Sequence, residues 1–105
     1  EPLRVAMSAS TAAILRDAMR VVAEEGTARN LLTEGVVVGG KTGTAQLGTT
    51  PPNSHAWIVG YAGMPNEQPS LAFAVIVEAH EGASEQTGGR VAAPIAQAVI
   101  EAAFK

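Results

Sequence analysis

The chain has 105 residues, a formal charge of −3, a hydrophobic fraction of 47% and an aromatic fraction of only 4%. That is the size of one small domain whose interior must be filled by Ala, Val, Ile and Leu. Seven scattered cationic residues exclude a basic nucleic-acid footprint, and the lack of cysteine excludes a disulfide framework and thiolate metal sites. No apolar run approaches the roughly 20 residues needed to cross a bilayer, and no signal peptide is present. The chain opens Glu1-Pro2-Leu3-Arg4 without an initiator Met, so it reads as a piece of something longer.

Residues 1–9 form an entering segment, after which Ser8, Ser10 and Thr11 each suit a helix N-cap. Ile14, Leu15, Ala18, Met19 and Val22 recur at helical spacing, which predicts a helix over Thr11–Glu25 stopped by Gly26. A connector follows, with room for a short turn at Ala28–Leu32. Val36-Val37-Val38 is β-branched and predicts a strand that runs on through Lys41 to Gln46. Leu47–Ser54 has the Gly, Thr, Pro and Asn of a loop, and Thr49–Asn53 within it suits a rim beside the motif. His55–Ala62 and Ser70–His80 predict two further strands, separated by a turn over Gly63–Pro69.

Glu81–Gly89 is polar and predicts a loop, with Glu78, Glu81 and Glu85 as a solvated acidic edge. A last helix opens near Arg90, which reads as its cap or tether, and tolerates Pro94 in its first turn. Val91, Ile95, Ala98, Val99 and Ala102 fall on one face, which predicts a second helix. The fold class is α+β: helix, three antiparallel strands joined by short loops, helix. The nearly continuous apolar runs predict a sheet covered on at least part of both faces.

Gly35 through Thr42 formally fits G-x-x-x-x-G-K-[ST], the phosphate-loop pattern. That motif needs a strand before the first Gly and a helix from the Lys. Here a helix and connector precede Gly35, the loop positions are valines, and Thr42-Gly43-Thr44-Ala45 starts a helix poorly. The alternative keeps Lys41-Thr42-Gly43-Thr44 inside a strand. Lys-Thr-Gly is a signature of penicillin-binding proteins and serine β-lactamases, which bind peptides ending in a free carboxylate. Strand alternation sets Thr42 and Thr44 on one side, where two hydroxyls can meet that carboxylate while Lys41 supplies positive charge. Gly43 and Gly40 let a substrate backbone lie close, and the Thr44 backbone N–H can point at a developing oxyanion. The bland reading is a surface Lys on a glycine-containing strand.

The extended context decides between them. Val38-Gly39-Gly40-Lys41-Thr42-Gly43-Thr44-Ala45-Gln46 is followed by His55-Ala56-Trp57-Ile58-Val59-Gly60-Tyr61. Gly26-Thr27-Ala28 follows the first helix, and Gly88-Gly89-Arg90-Val91-Ala92-Ala93-Pro94-Ile95-Ala96 opens the last. With these segments the chain resembles the end of the transpeptidase domain of class B penicillin-binding proteins, the actinobacterial penicillin-binding protein A type above all. The resemblance implies that residues 1–105 are the C-terminal segment of that domain, supplying the last three strands and two helices of a five-stranded antiparallel sheet flanked by helices. It implies a serine D,D-transpeptidase that cross-links peptidoglycan stem peptides through an acyl-enzyme and is acylated by β-lactams. It also implies a bacterial cell-envelope protein of wall growth, shape or division, held at the extracytoplasmic face of the plasma membrane by an N-terminal anchor outside this chain. No metal or other cofactor and no nucleic acid is expected.

The chain departs from the family pattern in what it lacks. None of Ser8, Ser10, Ser54, Ser70 and Ser84 has a Lys three residues on, and no S-x-N occurs. The expected partner is therefore the N-terminal part of the same domain, carrying S-x-x-K and S-x-N, and this chain alone is expected to be inactive. Of the family's functional residues only Lys41, Thr42, Gly43 and Thr44 carry over: Lys41 and the Thr44 N–H as catalytic groups, all four as substrate contacts. A β-lactam sensor, carboxypeptidase or serine β-lactamase of the same fold, or a non-catalytic binding module, are the alternatives. His55 and His80 lack the neighbours of a metal site, and Asp17, the only Asp, sits in the first helix, away from any triad. His55 suits the site rim, and Trp57, alternating with Val59 and Tyr61, reads as a sheet-packing residue.

Overall fold

The computed structural model describes residues 4–46, 54–78 and 88–104. Helix α1 spans Ala9–Glu25, and of the three candidate caps Ser8 is used: its Oγ accepts from the Thr11 N–H at 3.2 Å. Gly26 ends the helix in extended geometry, φ −117°, with its N–H on the Val22 carbonyl at 2.9 Å, and no left-handed turn is involved. One 3-10 turn follows at Arg29–Leu31, within the expected turn. Gly35, at φ 79°, turns the chain into β1, Val37–Gln46. Strands β2, Ser54–Gly63, and β3, Leu71–Val77, complete the sheet. Asn66, at φ 67°, takes the left-handed position between them, a conformation Asn tolerates better than most residues. A π-helical turn at Gly88–Ala92 leads directly into α2, Ala93–Phe104, with Pro94 in its first turn.

The sheet is antiparallel in the order β1-β2-β3, as the short connections predict. Its register places Gly40 opposite Gly60 and Thr42 opposite Ile58, and then Ile58 opposite Val75. One face of β2 presents Ala56, Ile58 and Ala62, all fully buried. Leu71, Phe73, Val75 and Val77 of β3 continue that face. Leu31 and the α2 residues Ala93, Ala96 and Ile100 join the same core. Among the described residues only Leu31, Ile58 and Ile100 are large side chains buried completely, so the described interior is built mainly from alanine.

The apolar stripes that predict the two helices are not the sides that turn inward. On α1, Ile14 is 72% exposed and Leu15 48%, Ala18 is exposed, and only Met19 and Val22 of the expected stripe are half-buried. The inward side instead follows Ala13, Arg16, Met19 and Ala23. On α2, Ile95 and Val99 are about half exposed, at 48% and 47%, and Ala98 and Ala102 are also exposed. There Ala92, Ala93, Ala96 and Ile100 turn inward. On α2 the alanine-lined side lets the helix axis approach the core more closely than a face of branched residues would. Of the expected loops over Leu47–Ser54 and Glu81–Gly89, Ser54 instead begins β2 and Gly88 and Gly89 open the π turn; the rest, and His80, lie outside the described residues.

Candidate functional site

Strand β1 is an edge strand among the described residues, so one of its main-chain edges has no strand beside it. An edge of that kind is a template for an added extended chain. Lys41-Thr42-Gly43-Thr44 lies within it, opposite Val59, Ile58, Trp57 and Ala56. Gly35 stands before the strand and Lys41 inside it, which is the reverse of a phosphate loop and removes that reading.

The strand is fixed from both faces. Gly39 lies beneath the Tyr61 ring, where a Cβ would come within 2.4 Å of ring carbons. Tyr61 reaches on to α1 and donates its hydroxyl to the Arg16 carbonyl at 2.7 Å. Burial raises the Tyr61 pKa above its ordinary value, and Arg16 and Arg20 oppose that shift. Gly40 faces the opposite way, against Leu31 Cδ1, which a Cβ would meet at 2.5 Å. Gly40 thus serves internal packing: an added Cβ would force the Leu31 side chain to shift.

Lys41 is exposed, and its Nζ donates to the Thr42 carbonyl at 2.6 Å. Thr42 is half-buried, and its Oγ1 lies 2.8 Å from Thr27 Oγ1. A hydroxyl has one proton and two lone pairs, so a bond accepted from Thr27 leaves the Thr42 proton available to another acceptor. Among the described residues Gly43 is flanked by Trp57 Cβ, at an ordinary 3.6 Å from a would-be Cβ, and none of them demands glycine there. Thr44 follows, in the ladder opposite Ala56.

Behind Thr42 the other resemblance-bearing segments converge. Gly89, in the π turn, packs so tightly on Thr27 that a Cβ would stand 2.4 Å from the Thr27 carbonyl oxygen and 3.9 Å from Thr42 Cγ2. Asn30 Nδ2 donates to the Gly89 carbonyl at 2.6 Å. Thr27 and Asn30 carry no periodic signal. Only the Gly26-Thr27-Ala28 likeness pointed to this turn, without giving it a task.

His55 is half-buried opposite Ala45, beside the motif strand. Trp57, Val59 and Ile76 are 39%, 40% and 41% exposed on the face opposite the core, so Trp57 is less buried than a sheet-packing residue should be. Asp17 lines a cavity of about 420 Å³ between α1 and the β2–β3 turn, together with Arg16, Tyr61 and Glu67. Among the described residues no group of three or more His, Asp or Glu could hold a metal ion, and no helix is long and apolar enough to cross a membrane.

Residues 1–101 match the model of the penicillin binding protein transpeptidase domain. The chain is 43% identical over 107 residues to the peptidoglycan D,D-transpeptidase PbpA of Mycolicibacterium smegmatis, covering 100% of this chain and 21% of that protein. It is 45% identical over 93 residues to stage V sporulation protein D of Bacillus subtilis, covering 85% of this chain and 14% of that protein. Among solved structures, penicillin-binding protein A of M. tuberculosis in a ceftriaxone acyl-enzyme complex superposes with a TM-score of 0.79 at 43% identity. That superposition covers 98% of this chain and 23% of the other. The chain thus spans about a fifth of the length of the PbpA relative, with 21% of it covered.

Proposed function

Because the chain belongs to the penicillin-binding-protein transpeptidase domain family, we propose that it forms one wall of the active site of a serine D,D-transpeptidase. The observation that carries this reading is the Lys41-Thr42-Gly43-Thr44 segment on a strand that is an edge among the described residues, with Lys41 exposed and no described neighbour that needs glycine at Gly43. A stem peptide ending in a carboxylate lies along this edge. Lys41 supplies the opposite charge, and Thr42 and Thr44 donate hydroxyl hydrogen bonds to the carboxylate. Each charge-assisted bond contributes about 1.5–3 kcal/mol.

The serine nucleophile and its lysine belong to the part of the domain that carries S-x-x-K, because no Ser here has that spacing. The serine Oγ attacks the penultimate D-Ala carbonyl. The Thr44 N–H stabilises the oxyanion, and the D-Ala–D-Ala amide bond breaks, releasing the terminal amine with a proton. An amine of a second stem peptide then attacks the ester, the new amide forms and the serine regains its proton. A β-lactam carboxylate occupies the same contacts, and the acylated relative supports β-lactams as ligands. The protein works in peptidoglycan synthesis at the bacterial cell envelope, with a membrane anchor outside this chain.

Fluorescent penicillin tests this. The full-length protein should label covalently and the isolated 105-residue chain should not. Lys41→Ala and Thr42→Ala should slow labelling of the full-length protein without unfolding it. Unchanged labelling rates in both variants would remove the motif assignment. Turnover of the β-lactam instead of a lasting adduct would make the protein a hydrolase.

A further inference from the structure

We infer that Thr27 is a positioning residue for the motif: its hydroxyl donates to Thr42 Oγ1 and so directs the Thr42 proton outward, to a carboxylate. This rests on the carboxylate-strand reading above. The 2.8 Å contact joins two hydroxyls, either of which can be the donor. The two arrangements differ in consequence. If Thr42 donates, its only proton is spent inside the protein and it can offer an anion nothing but lone pairs. If Thr27 donates, Thr42 accepts one bond and gives one, and each strengthens the other in a relay. An anionic ligand selects the second arrangement, since a carboxylate accepts and cannot donate.

The turn bearing Thr27 is held for this purpose from behind. Gly89 lies against the Thr27 carbonyl with no space for a Cβ, and Asn30 from the 3-10 turn holds the Gly89 carbonyl at 2.6 Å. Thr27 itself is exposed and outside the buried core. Removing its hydroxyl therefore empties no core position, and the contact it loses among the described residues is the one to Thr42.

The test uses the full-length protein, a fluorescent penicillin and the methyl ester of the same penicillin. Thr27→Val should slow acylation by the free acid about three- to tenfold, the span of one ordinary hydrogen bond, at an unchanged melting temperature. It should slow the ester much less, because the ester presents no anion, so the acid-to-ester ratio should fall. Thr27→Ser should retain the wild-type ratio within twofold. Thr27→Val added to Thr42→Val should cost no more than Thr42→Val alone. Equal slowing of acid and ester, or full additivity of the two valines, would reduce Thr27 to a structural contact and overturn the inference. If Thr42→Val slows acylation and Thr27→Val does not, this inference fails while the strand reading stands. If Thr42→Val is itself without effect, the strand reading fails and takes this inference with it.

Discussion

Gly60→Ala should be the most damaging alanine substitution among the strand glycines around the motif. Its Cβ would stand 2.2 Å from the Gly39 carbonyl oxygen, 2.7 Å from Phe73 Cζ and 3.1 Å from Gly40 Cα. Phe73 can rotate away, but the Gly39 oxygen is main chain, so β1 itself must retreat from β2. Overpacking of a filled interior costs about 1–3 kcal/mol. Each ladder hydrogen bond stretched by the retreat adds roughly 0.5–1.5 kcal/mol. The sum is about 3 kcal/mol. Gly40→Ala meets Leu31 Cδ1 at 2.5 Å, the end of a side chain that can turn, so about 1–2 kcal/mol is expected. Gly43→Ala meets, among the described residues, Trp57 Cβ at an ordinary 3.6 Å and should cost the least of the three. Denaturant unfolding of the three full-length variants gives the ranking directly, with Gly60→Ala lowest. A Gly60→Ala protein within 0.5 kcal/mol of wild type would refute the geometry behind this ranking.

Other expectations follow from the same geometry. Ile58→Ala empties the centre of the sheet's covered face and should destabilise by about 2–5 kcal/mol in denaturant melts. Tyr61→Phe removes the donor to the Arg16 carbonyl and should cost about 1 kcal/mol at neutral pH. Burial holds the folded-state pKa of Tyr61 above the ordinary tyrosine value of 10.0, so the folded state prefers the neutral phenol. That contribution is complete below pH 10.0 and is lost as the pH rises through the raised pKa. The gap between wild type and Tyr61→Phe should therefore narrow in unfolding curves taken above that pH. Glu24→Gln breaks an i,i+4 ion pair with Arg20 whose side chains are 53% and 49% exposed, and should change stability by less than about 0.5 kcal/mol.

The strands were legible because β-branched runs alternate with Gly, Pro and Asn breaks, and those patterns are local. The edge position of the motif followed from strand order and short connections. Helix faces were legible in period but not in direction. Ile14, Leu15, Ile95 and Val99 dominate any reading by hydrophobicity, yet the contacts run through Ala23, Ala93 and Ala96, whose small size is the reason they fit. The same limit applied to Gly40, whose neighbour Leu31 comes from a turn nine residues earlier in the chain. The Thr27–Thr42 contact spans 15 residues and two unrelated elements, and nothing periodic joins them.

The Asn30–Gly89 bond spans 59 residues, which has a consequence for how the motif comes into being. Lys41 to Thr44 are synthesised long before Gly89, yet the turn behind Thr42 is closed only when Gly89 arrives. Closing so long a loop is a late and entropically costly event. The motif's four residues can thus be present in their strand while its backing is still missing. A chain cut short just before Gly88 would keep every motif residue and still lose the Asn30–Gly89 clasp. Readiness of this wall is set by the completion of the chain, not by the strand that bears its name-giving residues.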